Sequence, residues 1–308
     1  MEALAIPFLL LVGSLLALQA AANVQLSAAM GSPFGASTLQ LGIGAALLLA
    51  AAAAAGSLGA FGTLDEAEPW ALIGGLGSAV YITAGIVLFP RLGALVAVGL
   101  FIAGQTIASL LLDGFGWLGV ARDAPGAAAL LGATAVALGT WLIVRAQAGA
   151  GALEEAARGR AGWIALAIVA GAALPVQGAI NARLDTELDA AIAVGAFSFL
   201  VATAAMSLAL GGILTAGAAR PQVAPLAGVP WWGWLGGLCG ATYVTAVFLL
   251  IPEIGAAPVV ALTVAGQQLA SVAVDRYGLL RLPRRRISRR RIAGVAVLLA
   301  GVALMNLS

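Results

Sequence analysis

The sequence predicts an all-α polytopic membrane protein, with about ten transmembrane helices set out as two inverted five-helix repeats. Three observations carry that expectation. Of 308 residues, 62% are hydrophobic and 9% charged, and the mean hydropathy is +1.06. A soluble domain of this size could not clothe its surface with so few charges. Apolar runs near the ~20 residues that a bilayer requires recur from end to end, and the second half of the chain repeats the first.

In the first half the expected spans cover residues 3–22, 37–55, 70–89, 93–112 and 126–144. In the second they cover 163–180, 190–210, 231–251, 255–274 and 292–307. Between them lie short stretches of Gly, Pro, Asp and Arg, which break helices and prefer water. The longest non-apolar stretch falls at the midpoint and carries Glu154, Glu155, Arg158 and Arg160. The expected organisation is therefore a first repeat over 1–145, a linker over 146–162 and a second, inverted repeat over 163–308. The first apolar run is read as a span and not as a cleaved leader, because its start bears no positive charge and it recurs mid-chain at 163–180.

The repeat is visible residue by residue. Gln19-Ala-Ala-Ala-Asn23-Val-Gln-Leu26 matches Gln177-Gly-Ala-Ile-Asn181-Ala-Arg-Leu184. Residues 74–119 match 236–281 without a gap, at roughly twenty of forty-six positions. The matches pair Tyr81 with Tyr243, Pro90 with Pro252, Gly93 with Gly255, Gln105 with Gln267, Ser109 with Ser271, Asp113 with Asp275 and Gly116 with Gly278. Chance likeness between apolar helices gives Leu and Ala matches, not Tyr, Pro, Gln and Asp in register.

An odd number of spans per half turns the second half upside down, and the charges agree. Eight of the fifteen basic residues fall between Arg276 and Arg291, whereas the equivalent loop after Asp113 carries only Arg122, next to Asp123. Under the positive-inside rule these loops lie on opposite sides of the membrane. The arginine-rich loop is expected in the cytoplasm with Arg91, Arg145, Arg158, Arg160 and Arg220. Asp65, Glu66 and Glu68 then fall outside, and both termini are periplasmic or extracellular. Between apolar spans, the basic cluster reads as a topology signal and not as a nucleic-acid site.

Composition also narrows the chemistry. With no histidine and no lysine, an imidazole relay, a histidine metal site, a P-loop and a Schiff base are all excluded. The lone Cys239 forms no internal disulfide. An enzyme is not expected, and neither is a cofactor or metal. What remains is a set of polar side chains inside helices, where an unpaired amide costs a few kcal/mol, so each must face another helix or a wet cavity. Gln19 and Asn23 share one helix face, as do Gln177 and Asn181. Gln105, Ser109 and Asp113 form a stripe at spacing four, mirrored by Gln267, Ser271 and Asp275. Tyr81 and Tyr243 lie mid-span, where a hydroxyl needs a partner. The plain reading of this set is interhelical hydrogen bonding; the functional reading is the lining of a central cavity. Trp70, Trp231 and Trp232 are read as interface anchors at span starts. Pro90 to Gly93 and Pro252 to Gly255 are read as tight turns.

The Gln-x-x-x-Asn-x-x-Leu element and the Tyr…Pro-x-x-Gly…Ala-Gly-Gln-x-x-Ala-Ser-x-x-x-Asp string, each present twice, resemble the YdcZ-like group of the drug/metabolite transporter superfamily. The resemblance covers nearly the whole chain and implies a ten-helix inverted-repeat exporter of small organic solutes. Two departures stand out. No mid-membrane glutamate matches the proton-coupling residue of the small multidrug resistance branch, and described ten-helix members keep both termini in the cytoplasm. The expectation is thus a secondary transporter working by alternating access. Substrate would bind to Gln19, Asn23, Tyr81, Gln105, Ser109, Gln177, Asn181, Tyr243, Gln267 and Ser271, with Asp113 and Asp275 gating or relaying protons. Amides without carboxylates suit neutral, zwitterionic or weakly polar solutes. The expected partners are a small-molecule substrate and the lipid bilayer, with a homodimer left open beside a chain working alone. A non-transporting membrane scaffold is the alternative, and a nonspecific channel the third reading.

Overall fold

A computed structural model describes residues 2–120, 122, 124–147, 153–254 and 256–305, with side chains left out at 2–6, 147, 153–160, 247–254, 256–258, 260 and 261. Among these residues the chain forms ten α-helices joined by turns and short 3-10 segments. They are α1 (Glu2–Met30), α2 (Pro33–Ala54), α3 (Leu76–Leu92), α4 (Ala94–Phe115), α5 (Ala127–Gln147), α6 (Leu153–Leu188), α7 (Ala191–Thr215), α8 (Gly236–Ile254), α9 (Ala256–Tyr277) and α10 (Arg289–Met305). Among the described residues seven stretches, falling on α1–α7, are long and apolar enough to cross a membrane; that starting at Pro69 includes the turn before α3.

Helix ends follow local chemistry. Ser32 caps α2 by accepting from Gly35 N at 3.1 Å, with Pro33 at the first helical position. Gly93 alone separates α3 from α4, at φ +83°, so the turn is one residue and Pro90 lies within the last turn of α3. Its counterpart Gly255 lies outside the described residues, as do the side chains of Pro252 and Glu253. The tryptophans begin 3-10 turns, Pro69–Ile73 and Trp231–Trp234, and the α-helices start only at Leu76 and Gly236. The expected spans from residues 70 and 231 thus open with a tighter turn.

The two halves interlock. α1 packs on α8 and α9 of the other half, and α6 packs equivalently on α3 and α4, while α2 pairs with α7 and α5 with α10. Glycines set the approach. A β-carbon on Gly13 would collide with the Thr263 carbonyl, and one on Gly266 with that of Leu10. The equivalent pair, Gly171 against Phe101 and Gly104 against Ile168, repeats the same crossing. Close backbone approach without side chains between is how helices gain packing in lipid.

The inversion can be read from these contacts. The N-terminus of α4 meets the C-terminus of α9, its repeat equivalent, through Asp275. Along α5 and α10, Gly132 lies against Gly301 and Gly139 against Gly294, so the two helices run in opposite directions. Charge divides accordingly. Arg91, Arg145, Arg220 and the arginines from Arg276 to Arg291 occupy one end of the bundle. Asp65, Glu66, Glu68, Asp113, Asp185, Glu187 and Asp189 occupy the other, with Arg122 and Arg183. At the arginine-rich face Arg91 lies over the Trp163 ring at 4.6 Å, and at the acidic face Arg183 pairs with Glu68 and Glu187.

Candidate functional site

Polar side chains gather at three depths between the halves. At the centre, Tyr81 on α3 donates from its hydroxyl to Gln267 Oε1 on α9 at 3.3 Å, and its ring packs on Phe101 with centroids 4.8 Å apart. Tyr243, the equivalent on α8, is hydrogen-bonded to Thr263, which stands where Phe101 stands in the first half. Gln105 on α4 mirrors Gln267, and both are buried. The amide nitrogens of Gln105 and Gln267, and both amide atoms of the neighbouring Gln268, have no hydrogen-bond partner among the described residues.

Toward the acidic face lies a closed network. Ser78 Oγ donates to Gln177 Oε1 at 2.9 Å, Gln177 Nε2 donates to Ser198 Oγ at 3.3 Å, and Asn181 Nδ2 donates to the same hydroxyl at 3.0 Å. The Asn181 side chain lies so close to Gly74 that a β-carbon there would strike its Oδ1. Toward the arginine-rich face lies the equivalent set on α1, α2 and α8. Gln19 and Asn23 take the places of Gln177 and Asn181, and Asn23 lies against Gly236 as Asn181 does against Gly74. Here Gln40 stands where Ser198 stands, since their backbone carbonyls face the paired glycines Gly237 and Gly75, and Gly240 stands where Ser78 stands. Gln40 Nε2 donates to the Gly233 carbonyl at 3.3 Å.

The two carboxylate stripes diverge. Ser271 and Asp275 are buried, whereas Ser109 is half-buried and Asp113 exposed at the acidic face. Ser271 donates back to the Gln268 carbonyl at 2.7 Å. Asp275 is only 2% exposed, and its two oxygens accept from Ala94 N at 2.9 Å and Leu95 N at 3.2 Å. The carboxylate thus binds the first free N–H groups of α4 and faces the positive end of that helix. The adjoining loop completes a latch: Arg285 N donates to Asp275 O at 2.7 Å, and Arg285 Nη2 to the Pro90 carbonyl at 3.1 Å. Arg276, the nearest arginine in sequence, is exposed.

The two faces also differ in closure. At the arginine-rich face Gln25 Nε2 donates to the Leu280 carbonyl at 2.9 Å, and Gln222 N to the Met30 carbonyl at 2.9 Å, bringing the post-α7 segment onto the α1–α2 turn. The equivalent place at the acidic face, between the post-α2 segment and the α6–α7 turn, holds an open groove of ≈ 710 Å³ lined in part by Glu66, Glu187 and Asp189.

Sequence reading singled out Gln19, Asn23, Tyr81, Gln105, Gln177, Asn181, Tyr243, Gln267 and Ser271, and each has a helix of the opposite half packed beside its own. It passed over Gln40, Ser78, Ser198, Gln268 and Arg285. Ser78 and Ser198 differ from Gly240 and Gln40 at the equivalent positions, so a search for identical residues in both copies discards them. Gln40 and Gln268 could have been found by taking every amide inside a span as a candidate.

Comparison with known proteins agrees with this architecture. The family described as "Putative inner membrane exporter, YdcZ" matches the chain twice, over residues 4–142 and 162–304. A solved crystal structure is similar over 98% of this chain and 98% of its own, with a TM-score of 0.58 and 19% identity, a likeness that speaks for the fold alone. No curated protein matches. Two matches to one family that together span most of the chain, on a bundle of ten described helices in antiparallel halves, place this protein in the YdcZ family of drug/metabolite transporters, multi-pass proteins of the inner membrane and not enzymes.

Proposed function

We propose that the chain is a secondary transporter that exports small neutral or weakly polar organic solutes by alternating access, through a polar column between its halves. The repeats would be 1–145 and 163–308, joined by the linker 146–162. The supporting observation is the Tyr81–Gln267 hydrogen bond, flanked by buried amides on both sides of the same interface. Substrate would meet Gln19, Asn23, Tyr81, Gln105, Gln177, Asn181, Tyr243 and Gln267, with Ser109 and Ser271 at the approaches. The column holds amides and hydroxyls, so a solute is recognised by hydrogen bonds and shape, without an ion pair.

The arginine-rich face is cytoplasmic in this reading, by the positive-inside rule, which puts both termini in the periplasm. The latch at Asp275 and Arg285 then closes the inner gate while the outer groove stands open, and a solute released outward would leave past Glu66 and Asp189. Asp113 sits at the outer end of the mirrored stripe and takes the corresponding outer role. The test is saturable uptake with counterflow in proteoliposomes, compared between wild type and Gln267→Leu at matched folding. Loss of flux with retained folding supports the column.

One observation favours the scaffold reading: Gln177 and Asn181 are tied by three hydrogen bonds through Ser78 and Ser198, as helix glue would be. If that reading holds, Gln177→Leu and Gln267→Leu lower thermal stability together and no solute shows saturable flux.

A further inference from the structure

The seam between α5 and α10 ends in a group of cations that the polar column leaves unused. Gly139 lies against Gly294 and Gly132 against Gly301, which fixes the register of these two antiparallel helices. Continuing that register brings Arg145, in the last turn of α5, level with the first turn of α10, where Arg289, Arg290 and Arg291 follow one another. The helical period then sorts the two flanks of the seam. On α5 the inner flank carries Thr140, whose hydroxyl donates to the Gly99 carbonyl of α4 at 3.1 Å. The outer flank of α5 carries Leu131, Leu138 and Arg145, all exposed. On α10 the inner flank carries the buried Arg291 and Val295, and the outer flank carries Arg290, exposed, and Val297, half-buried. Arg145 and Arg290 therefore stand on facing lips of one seam, on the side turned away from the bundle.

The charge on these lips is unbalanced. Among the described residues neither arginine has an ion pair, and Arg145 lies instead over the Trp141 ring at 4.8 Å. The first turn of α10 holds no acidic residue, so the positive end of that helix adds to its arginines. Below the cations the lips turn apolar. Leu138 lies ~10 Å deeper than Arg145 along the helix axis, within the ~15 Å of hydrocarbon that one leaflet supplies.

We infer that this end of the α5–α10 seam binds an anionic phospholipid from the leaflet at the arginine-rich face. Its phosphate is held between the guanidiniums of Arg145 and Arg290, and an acyl chain lies along the seam over Leu138 and Val297. Free phosphate would satisfy the cations but has nothing to lay on the apolar lips. A zwitterionic lipid would bring its own cation up to the arginines. Because the two lips belong to different halves, the bound lipid ties the last helix of one half to the last helix of the other, and it stabilises the folded chain by mass action.

The experiment follows the unfolding temperature of the purified full-length protein in neutral detergent. It is titrated with dioleoyl phosphatidylglycerol, dioleoyl phosphatidylcholine or inorganic phosphate. Phosphatidylglycerol is expected to raise the unfolding temperature saturably, with the other two ineffective. Arg145→Gln combined with Arg290→Gln should raise the half-saturating phosphatidylglycerol concentration about tenfold or more, as loss of a charge-assisted hydrogen bond requires. Arg220→Gln combined with Arg281→Gln removes the same charge from the same face outside the seam, and should shift it about twofold or less. Should the first double variant fail to fold, Arg290→Gln alone is expected to weaken phosphatidylglycerol several-fold. No stabilisation of the wild type by phosphatidylglycerol, or equal stabilisation by phosphatidylcholine or phosphate, overturns the site. Equal weakening by the two double variants also overturns it, leaving only a general attraction of the basic face. Dimers of the delipidated wild type that Arg145→Gln with Arg290→Gln abolishes would give the seam to a second copy and overturn it as well.

Discussion

Replacing Asp275 with Asn isolates the charge of the latch at the arginine-rich face while keeping its shape. The carboxylate accepts two backbone N–H groups at the start of α4, at 2.9 and 3.2 Å, and is almost fully buried. Hydrogen bonds to a charged group contribute ~1.5–3 kcal/mol each, and a charge at a helix N-terminus adds ~0.3–1 kcal/mol. Asn keeps one acceptor oxygen, turns an N–H₂ toward the other donor and removes the charge. The net loss is about 2 kcal/mol, which is roughly a 30-fold change in the balance between latched and unlatched states. Cys239, 8% exposed and in the half of the bundle nearer the arginine-rich face, reports that balance without engineering. In inside-out vesicles an impermeant thiosulfonate should modify it about 30-fold faster in Asp275→Asn than in wild type, at temperatures well below unfolding. Asp113→Asn, exposed at the acidic face and proposed for the opposite gate, should not raise the rate. If Asp275→Asn lowers the unfolding temperature but leaves the modification rate unchanged, the carboxylate is a cap on α4 and not part of a gate.

Three further outcomes are expected. On a Cys239→Ala background, cysteines placed near Glu66 and near Asp123 should react with impermeant reagents in intact spheroplasts, and one near Arg286 should not; the reverse pattern would overturn the proposed orientation. Tyr81→Phe should cost about 1 kcal/mol in thermal unfolding and a larger share of transport, whereas equal losses of both would favour helix glue. Gly13→Val and Gly171→Val should each destabilise by ~1–3 kcal/mol or more, because each drives a side chain into a backbone carbonyl of the opposite half. Gly178→Val, with open space at its β-carbon, should be close to neutral in the same melt.

The sequence exposed the helix count and the inverted repeat because both rest on local, additive signals: apolar run length, and residues such as Tyr, Gln and Asp recurring in register. Which helix touches which was not legible. The α1–α9 and α4–α6 crossings depend on Gly13, Gly104, Gly171 and Gly266, four among 41 glycines, and nothing in their neighbours distinguishes them. The fate of the stripe ends was hidden for a different reason. Asp113 and Asp275 look alike in the repeat, yet Asp275 is covered by a loop whose Arg285 backbone and side chain reach across to it and to Pro90. Its environment is set by an arginine-rich loop whose first-half equivalent carries Arg122 as its one basic residue. Its carboxylate instead takes hydrogen bonds from two amides nearly two hundred residues away in the chain.

The reciprocal glycines of α5 and α10 bear on how the protein comes together. Gly132 and Gly139 each meet Gly301 or Gly294 across the same seam, and the main partners of α1, α2, α5 and α6 likewise belong to the opposite half. Neither half can bury its interacting surface without the other. The peptide connection between α5 and α6 then supplies effective concentration and a fixed one-to-one stoichiometry, while specificity resides in the seam. Two separately translated halves would be partners by design of their surfaces, and fusing them removes the competing pairing of each half with its own copy.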